Sequence, residues 1–114
     1  MGPVTYRWFR AAVAGSSMEP TLQHDDFLIV APIRHPGRIR VGDVVLARFE
    51  ARPELLVVKR VERIAADGLW LVGDNSAASD ASETYGWARP VGRVVARYWP
   101  RPRLIRRERV HWGP

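Results

Sequence analysis

The chain has 114 residues, 46% of them hydrophobic and 26% charged, which is the composition of one folded domain rather than of a disordered chain. It contains no cysteine, which excludes a disulfide scaffold, a cysteine-ligated metal site and a thiol nucleophile. No run of about 18 apolar residues occurs, and residues 1–14 lack the apolar stretch of a signal peptide. We therefore expect a cytoplasmic protein without a transmembrane segment, although peripheral contact with a membrane stays open.

The formal net charge of +6 is concentrated at the C-terminal end. Twelve basic and eleven acidic residues precede position 97, whereas six arginines and one glutamate lie between there and the end. A basic tail over residues 100–114 can contact an acidic partner, anionic lipid or nucleic acid, but we expect it to be solvated and partly disordered. Of the 18 basic residues, Lys59 is the single lysine. Because lysine, unlike arginine, can lose its proton when buried, Lys59 is a candidate for a site that needs a neutral amine.

The predicted elements are short strands separated by turns, with almost no helical periodicity. In chain order the strands cover residues 27–30, 44–49, 55–64, 69–72 and 91–99, and the turns between them lie at residues 41–43, 53–54 and 67–68. Only residues 6–14 can form a helix, and a short one. The pattern predicts a single all-β domain, a barrel or folded sheet, in which residues 1–12 are a lead-in.

The segment Gly-Ser-Ser-Met-Glu-Pro-Thr-Leu at residues 15–22 carries a candidate nucleophile, Ser17. Gly15 permits a close approach of the backbone, and Pro20 restricts the residue before it to extended conformations. Together they would present a serine hydroxyl on a constrained loop. An ordinary serine-rich turn fits these residues equally well.

The better candidate for the base is Lys59, since no histidine stands in a recognisable triad order with Ser17. The three histidines are His24, His35 and His111. Side chains alternate along a strand, so Lys59 shares a face with apolar residues while Arg60 and Glu62 point away. The apolar residues on that face are Leu55, Val57 and Val61. Burial there lowers the pKa of an amine and favours a Ser-Lys mechanism; the alternative is a lysine that reaches solvent from the strand.

A third segment, residues 73–82, follows the strand that pairs with the Lys59 strand. It begins Gly-Asp-Asn and contains several serines. Hydroxyl groups there can orient an amine, and Asp74 or Asn75 can hold the loop. The composition is also that of a common turn, and the carboxylates do not follow a calcium-loop pattern.

These three segments, in this order, resemble the boxes of the type I signal peptidase family, and the residues Arg-Val-Gly-Asp-Val-Val at 40–45 resemble a further strand of that family. The resemblance covers residues 13–99. It implies an all-β catalytic core, Ser17 as nucleophile, Lys59 as general base and Ser79 as the hydroxyl that orients Lys59. Supporting positions in the matched boxes are Ser16, Gly15, Met18, Asp74 and Asn75. No metal or organic cofactor is implied.

Two positions depart from the family pattern. Gly15 stands where bacterial members carry a serine that donates to the oxyanion, so the backbone N–H of Ser17 is expected to carry more of that role. Ala81 stands where the family has an aspartate, one place after Asp80. The membrane anchor and the large insertion of secretory members are also absent from this sequence.

Within the family, the sequence looks most like the maturation proteases of nickel-type superoxide dismutase. The run Val-Val-Lys-Arg at residues 57–60 and the ending Arg-Tyr-Trp-Pro-Arg-Pro at residues 97–102 carry this narrower resemblance. It implies that the partner is the dismutase precursor, whose short N-terminal extension is removed. The nickel would belong to that substrate.

Two alternatives remain open. One is another Ser-Lys protease, either a signal peptidase for a secretory precursor or a self-cleaving repressor, for whose DNA-binding domain 114 residues leave no room. The other is a small basic β-barrel that binds nucleic acid through its arginines and five tryptophans. The nearly neutral body of the chain argues against this second alternative.

Overall fold

A computed structural model describes residues 7–33, 38–75, 77 and 80–107. This part of the chain forms seven strands and one short helix. The strands are β1 (Phe9–Ala12), β2 (Phe27–Pro32), β3 (Val44–Phe49), β4 (Arg52–Ala65), β5 (Gly68–Val72), β6 (Ala88–Trp99) and β7 (Arg103–Leu104), and the helix is α1 (Ser82–Tyr85). The all-β prediction is confirmed. No helix among the described residues is both long and apolar enough to cross a membrane.

All strand pairings are antiparallel, in the order β1-β2-β6-β3-β4-β5, with β7 added to β6. Strand β5, at the end of this order, also pairs with β6, where Leu69 lies opposite Ala88. Strands β3, β4, β5 and the first part of β6 therefore close into a small barrel. Strands β1 and β2 continue from the second part of β6 as an open arm.

Strand β3 separates two hydrophobic cores because its side chains alternate. The core inside the barrel, which we call the barrel core, contains the buried side chains of Ile39, Val45, Ala47, Phe49, Val61, Leu69, Leu71 and Ala88. The second core, which we call the arm core, contains those of Val13, Met18, Leu22, Leu28, Val30, Val44, Leu46, Val94 and Ile105. The segment carrying Ser17 is thus anchored on the arm core.

Strand β6 belongs to both halves of the fold, and Gly92 lies where it passes from one to the other. This residue pairs with Leu46 of β3 on one side and Pro32 of β2 on the other. A Cβ atom there would lie 2.4 Å from Cγ1 of Val30 and 2.9 Å from the Ala31 carbonyl oxygen. Only glycine lets β2 approach β6 this closely.

Three local predictions need correction. Residues 9–12 form β1 rather than a helix, because they pair with residues 27–30 and alternate between half-buried and exposed. The turn expected at residues 53–54 lies inside β4. Arg52 pairs with Phe49 and Leu56 pairs with Arg48, so residues 53–55 form a bulge without partners on β3. A proline is tolerated at such a bulge because its nitrogen has no hydrogen to donate. The chain actually turns at residues 50–51.

The third correction concerns the basic tail, which is not wholly solvated. Strand β7 pairs with β6, and Ile105 is buried in the arm core. The backbone N–H of Ile105 donates to the Val95 carbonyl oxygen at 2.8 Å. Residues 103–107 are therefore part of the fold, whereas residues 108–114 lie outside the described residues.

Candidate active site

Ser17 and Lys59 line the same groove, which has a volume of about 450 Å³. One wall is the β1 strand and the residues after it, and the other is the first half of β4. The lining consists of residues 9–14, 17–18, 46 and 55–59. The fold thus brings together two residues that are 42 positions apart in the sequence.

The loop that carries Ser17 is fixed on both sides of the serine. Before it, Gly15 has a φ angle of +83°, which favours glycine, and its N–H donates to Nδ1 of His24 at 2.9 Å. After it, Met18 is buried in the arm core, and its carbonyl oxygen accepts from the N–H of Leu22 at 2.9 Å. Sequence reasoning assigned no role to His24, because its partner is a backbone N–H nine positions earlier, which no residue pattern marks.

The Gly-Asp-Asn segment holds the serine loop through its asparagine. The backbone N–H of Asn75 donates to the Ser17 carbonyl oxygen at 2.8 Å. The Asn75 side-chain amide donates to the Ser16 carbonyl oxygen at 3.1 Å. Both carbonyl groups of the two serines are therefore occupied, and the peptide between them has a fixed orientation.

Lys59 is buried, with 4% of its surface exposed. It lies opposite Val45 on β3, and the residues two places before and after it, Val57 and Val61, pack in the barrel core. Burial lowers the pKa of the Lys59 amine, and the negative charge of Asp80 opposes this only in part. The neutral amine, which is the form that can accept a proton, is therefore more populated here than in an exposed lysine at the same pH.

Arg60 lies on the face of β4 opposite to Lys59, as strand alternation predicts, and it is as buried as Lys59. Its Nε and Nη2 atoms donate to the two carboxylate oxygens of Asp74 at 2.8 and 2.7 Å. Its Nη1 atom donates to the Gly42 carbonyl oxygen at 2.7 Å. Alternation predicted the face correctly but not the burial, because the partner that makes burial of a guanidinium possible lies 14 residues away.

Asp74 joins this arginine to the serine loop. Its Oδ2 atom also accepts from the Thr21 hydroxyl at 2.5 Å. Burial raises the pKa of the Asp74 carboxyl, but the hydrogen bonds from Arg60 and Thr21 and the charge of Arg60 outweigh it, so that the pKa lies below its usual range. The carboxylate is therefore ionised at neutral pH.

The remaining sequence candidates are only partly within the described residues. Ser79 lies outside them, and so do His35 and His111. Ser82 supports the fold, since its Oγ atom accepts from the N–H of Leu71 at 2.7 Å. Among the described residues, no three side chains of histidine, aspartate or glutamate gather in a way that would hold a metal ion.

Comparison with known proteins gives a consistent picture. The family described as Peptidase S24-like matches residues 5–95. The chain is 31% identical to mitochondrial inner membrane protease subunit 1 of Xenopus tropicalis, over 76% of this chain and 66% of the relative. It is 30% identical to the human protein of the same name, over 76% and 67%, and 30% identical to mitochondrial ATP-independent inner membrane protease subunit 1a of Arabidopsis thaliana, over 77% and 68%. The chain thus spans about two thirds of the length of these relatives.

The ion pair between Arg60 and Asp74 leads to a prediction about stability. We expect Asp74→Asn to lower the free energy of unfolding by about 3–5 kcal/mol at pH 7, because it leaves a buried guanidinium without its counter-charge. The loss should shrink as the pH falls below about 3.9 and through the lowered folded-state pKa, where the wild type loses the same charge. Urea denaturation at several pH values measures both effects.

The matched control for this prediction is the double variant Arg60→Met/Asp74→Leu, which removes both charges. It should recover most of the lost stability, since two apolar side chains can replace a buried ion pair at little cost. Equal stability of Asp74→Asn and the wild type at pH 7 would contradict the prediction.

The buried amine leads to a second prediction. We expect Lys59→Met to be more stable than the wild type at pH 7. Between its lowered folded-state pKa and the ordinary value near about 10.4, the unfolded chain binds a proton at Lys59 that the folded chain does not. The stability of the wild type therefore rises with pH in that range, and the advantage of the variant shrinks.

Denaturation midpoints of the two proteins from pH 6 to pH 10 measure this difference. Arg48→Met is the matched control, because Arg48 is exposed on β3 and arginine stays protonated throughout the range. An advantage of Lys59→Met that grew with pH would show that burial does not lower the pKa.

Proposed function

The chain belongs to the Peptidase S24-like family, and we propose on that premise that it is a serine endopeptidase with Ser17 as nucleophile and Lys59 as general base. The observation that carries the proposal is the pairing of a serine on a fixed loop with a buried, pKa-lowered amine along one groove. No histidine among the described residues lines that groove. A lysine base is the arrangement that remains for activating the serine.

In the proposed mechanism, Oγ of Ser17 attacks the scissile carbonyl carbon while the neutral amine of Lys59 takes the hydroxyl proton. The tetrahedral intermediate collapses to an acyl-enzyme, and the protonated Lys59 gives that proton to the leaving amine. Water then attacks the ester with Lys59 again as base, and the carboxylic acid product and free Ser17 result.

The oxyanion of the intermediate is assigned to the backbone N–H of Ser17. A side-chain donor two residues earlier is ruled out by Gly15, and the N–H of Gly15 itself donates to His24. The clamp from Asn75 on both serine carbonyl oxygens supports this assignment, because it fixes the peptide that carries the N–H.

Ser79 is proposed as the positioning residue for Lys59. The support comes from its neighbour in the chain, since the charge of Asp80 acts on the Lys59 amine. In this sequence Ala81 replaces the aspartate expected from the family resemblance. Asp80 would then supply the carboxylate of this segment from one position earlier.

The substrate is proposed to bind as an extended strand along the groove. In the described sheet β1 pairs on one side only, with β2, so its other edge can accept hydrogen bonds from a peptide. The opposite wall is apolar, with Leu55, Leu56 and Val58 among its residues. Such a wall suits small or apolar side chains next to the cleaved bond.

The specific substrate we propose is the precursor of a nickel-type superoxide dismutase, which would lose a short N-terminal extension. This rests on the sequence resemblance in residues 57–60 and 97–102. The second candidate is another precursor protein with a signal-like segment, and the similarity to the inner membrane protease subunits favours it. The two candidates share one active site and differ in the substrate that they predict.

Incubation with the two kinds of precursor, followed by mass spectrometry, tests the proposal. We expect one N-terminal cut by the wild type. Ser17→Ala should reduce the rate by at least about 10³-fold, because the nucleophile is lost. Lys59→Arg, which keeps the charge but cannot act as base, should reduce it by about 10²–10⁴-fold.

Ser16→Ala is the matched control, since it removes the neighbouring hydroxyl and keeps the carbonyl that Asn75 binds. It should still cleave. Full activity of Lys59→Arg would overturn the assignment of the dyad. An inactive Ser16→Ala variant beside an active Ser17→Ala variant would overturn it as well. A cut in the second precursor alone would replace the dismutase as substrate.

The pH dependence of kcat/KM tests the base separately. Only the neutral amine accepts a proton, so kcat/KM should be low below the lowered pKa of Lys59 and should rise as the pH passes through it. His24→Gln is the control, because glutamine keeps an acceptor near Gly15 but does not titrate. An unchanged profile in His24→Gln is expected; a profile that is flat down to pH 5 would argue against a lysine base.

A further inference from the structure

Two cavities on the surface meet at one arginine. The first, about 460 Å³, is lined by residues 31–33, 38–39, 93 and 107. The second, about 500 Å³, is lined by Thr21 and residues 103–107. Arg107 lines both, so the two cavities adjoin at this side chain. We call their combined lining the arginine strip after its five arginines, Arg38, Arg93, Arg103, Arg106 and Arg107.

One arginine of the strip is held in place by a buried carboxylate. Nε of Arg107 donates to Oδ1 of Asp43 at 2.7 Å, and the other carboxylate oxygen accepts from the N–H of Arg40 at 2.9 Å. Asp43 is 3% exposed and stands in the turn before β3. Arg107 is thus a fixed part of the fold, which sets the distance between the two cavities.

The rest of the strip carries excess positive charge. Within the described residues, the lining of the two cavities includes five arginines and no carboxylate. Arg38 and Arg93 face the same cavity from a loop and from β6, and the structure shows neither in an ion pair with a described residue. Like charges held around a cavity repel each other, and an anionic partner relieves that repulsion.

The lining between the arginines indicates the class of anion. Its apolar members are aliphatic: Ala31, Pro32, Ile33, Ile39, Leu104 and Ile105. Single-stranded nucleic acid is bound by stacking of its bases on aromatic side chains, and no described residue of the strip is aromatic. Trp70 and Trp87 pack against each other and under Arg63, and neither lines these cavities. Aliphatic surface between arginines suits a polypeptide with acidic and apolar side chains.

The strip reaches the serine loop. Thr21, which lines the second cavity, stands four residues after Ser17 and donates to Asp74 in the active site. A polypeptide lying along the strip would therefore extend toward the segment that holds the nucleophile. We propose that the arginine strip binds an acidic segment of the precursor substrate, outside the groove that holds the cleaved bond; this inference rests on the proposed function.

Binding of an acidic peptide tests the proposal without any need for cleavage. The probe is a fluorescein-labelled peptide of about ten residues, alternating glutamate and leucine, and the protein is the Ser17→Ala variant. Fluorescence anisotropy measures the affinity. We expect Arg38→Ala/Arg93→Ala to weaken binding about tenfold, and added salt to weaken it further because the charges are exposed.

The matched control is Arg48→Ala/Arg89→Ala. These two arginines are register partners on β3 and β6, the first donating to the Pro53 carbonyl oxygen and the second paired with Glu50. They contribute the same charge but line neither cavity. Equal weakening by both double variants would overturn the proposal, since it would show attraction to net charge alone.

Two further arms separate the remaining outcomes. Tighter binding of a single-stranded oligonucleotide than of the peptide, lost with the same two arginines, would overturn the proposal in favour of nucleic acid. In cleavage assays with the Ser17-containing protein, Arg38→Ala/Arg93→Ala should raise KM and leave kcat unchanged, and an unchanged KM would overturn the strip as a substrate site. Binding through the strip with no cleavage of any precursor would refute the proposed function alone.

Discussion

The buried guanidinium of Arg60 is the interaction on which the candidate site depends. It connects β4 to the turn before β3 through Gly42, and to the Gly-Asp-Asn segment through Asp74. Asp74 in turn accepts from Thr21 of the serine loop. Three segments that are distant in sequence meet at one carboxylate. Because an unpaired charge is costly in a buried place, loss of one charge of the Arg60–Asp74 pair weakens the connection between these segments.

Lys59, which precedes this arginine in the chain, is equally buried, but its surroundings disfavour the charged form. Lys59 and Arg60 leave β4 on opposite faces, opposite Val45 and Val44 respectively, and both are 4% exposed. Arg60 retains its charge and makes two hydrogen bonds to the Asp74 carboxylate and one to the Gly42 carbonyl oxygen. Lys59 lies where burial outweighs the attraction of Asp80, and its pKa falls. The strand thus places two adjacent basic residues in different surroundings. Arg60 stays charged, whereas Lys59 can lose its proton more readily than an exposed lysine.

Much of the fold follows from local patterns. Strand β3 begins and ends as the sequence predicts. The predicted hairpin between β4 and β5 also forms, but its two turn residues are 66–67, because Gly68 already belongs to β5 and pairs with Ala65. Strand β1 was missed because four residues give too little alternation to exclude a helix; its pairing with β2 decides the matter. Strand β7 was missed for a similar reason, since the two residues that follow Pro102 become a strand only through contact with β6.

In the candidate site, too, local sequence patterns predict some features, whereas others depend on residues that are distant in the chain. A lone lysine on an apolar strand face and a serine between glycine and proline are local signals, and the groove contains both. The contacts that hold them are not local: Asn75 reaches back 59 residues to Ser16, and Thr21 reaches forward 53 residues to Asp74. Residue types in the Gly-Asp-Asn segment suggested a holding role, but its partners follow only from the closure of the barrel.

Two arginines of this chain show what a guanidinium supplies that a lysine amine would not. Arginine remains protonated at any pH the folded protein meets, and its planar group binds a carboxylate through two hydrogen bonds at once. Arg60 with Asp74 and Arg107 with Asp43 both use that geometry. A lysine at either place would offer a single flexible amine whose charge burial can remove. Residue 59, which we propose as the base, is the one position where the chain has lysine.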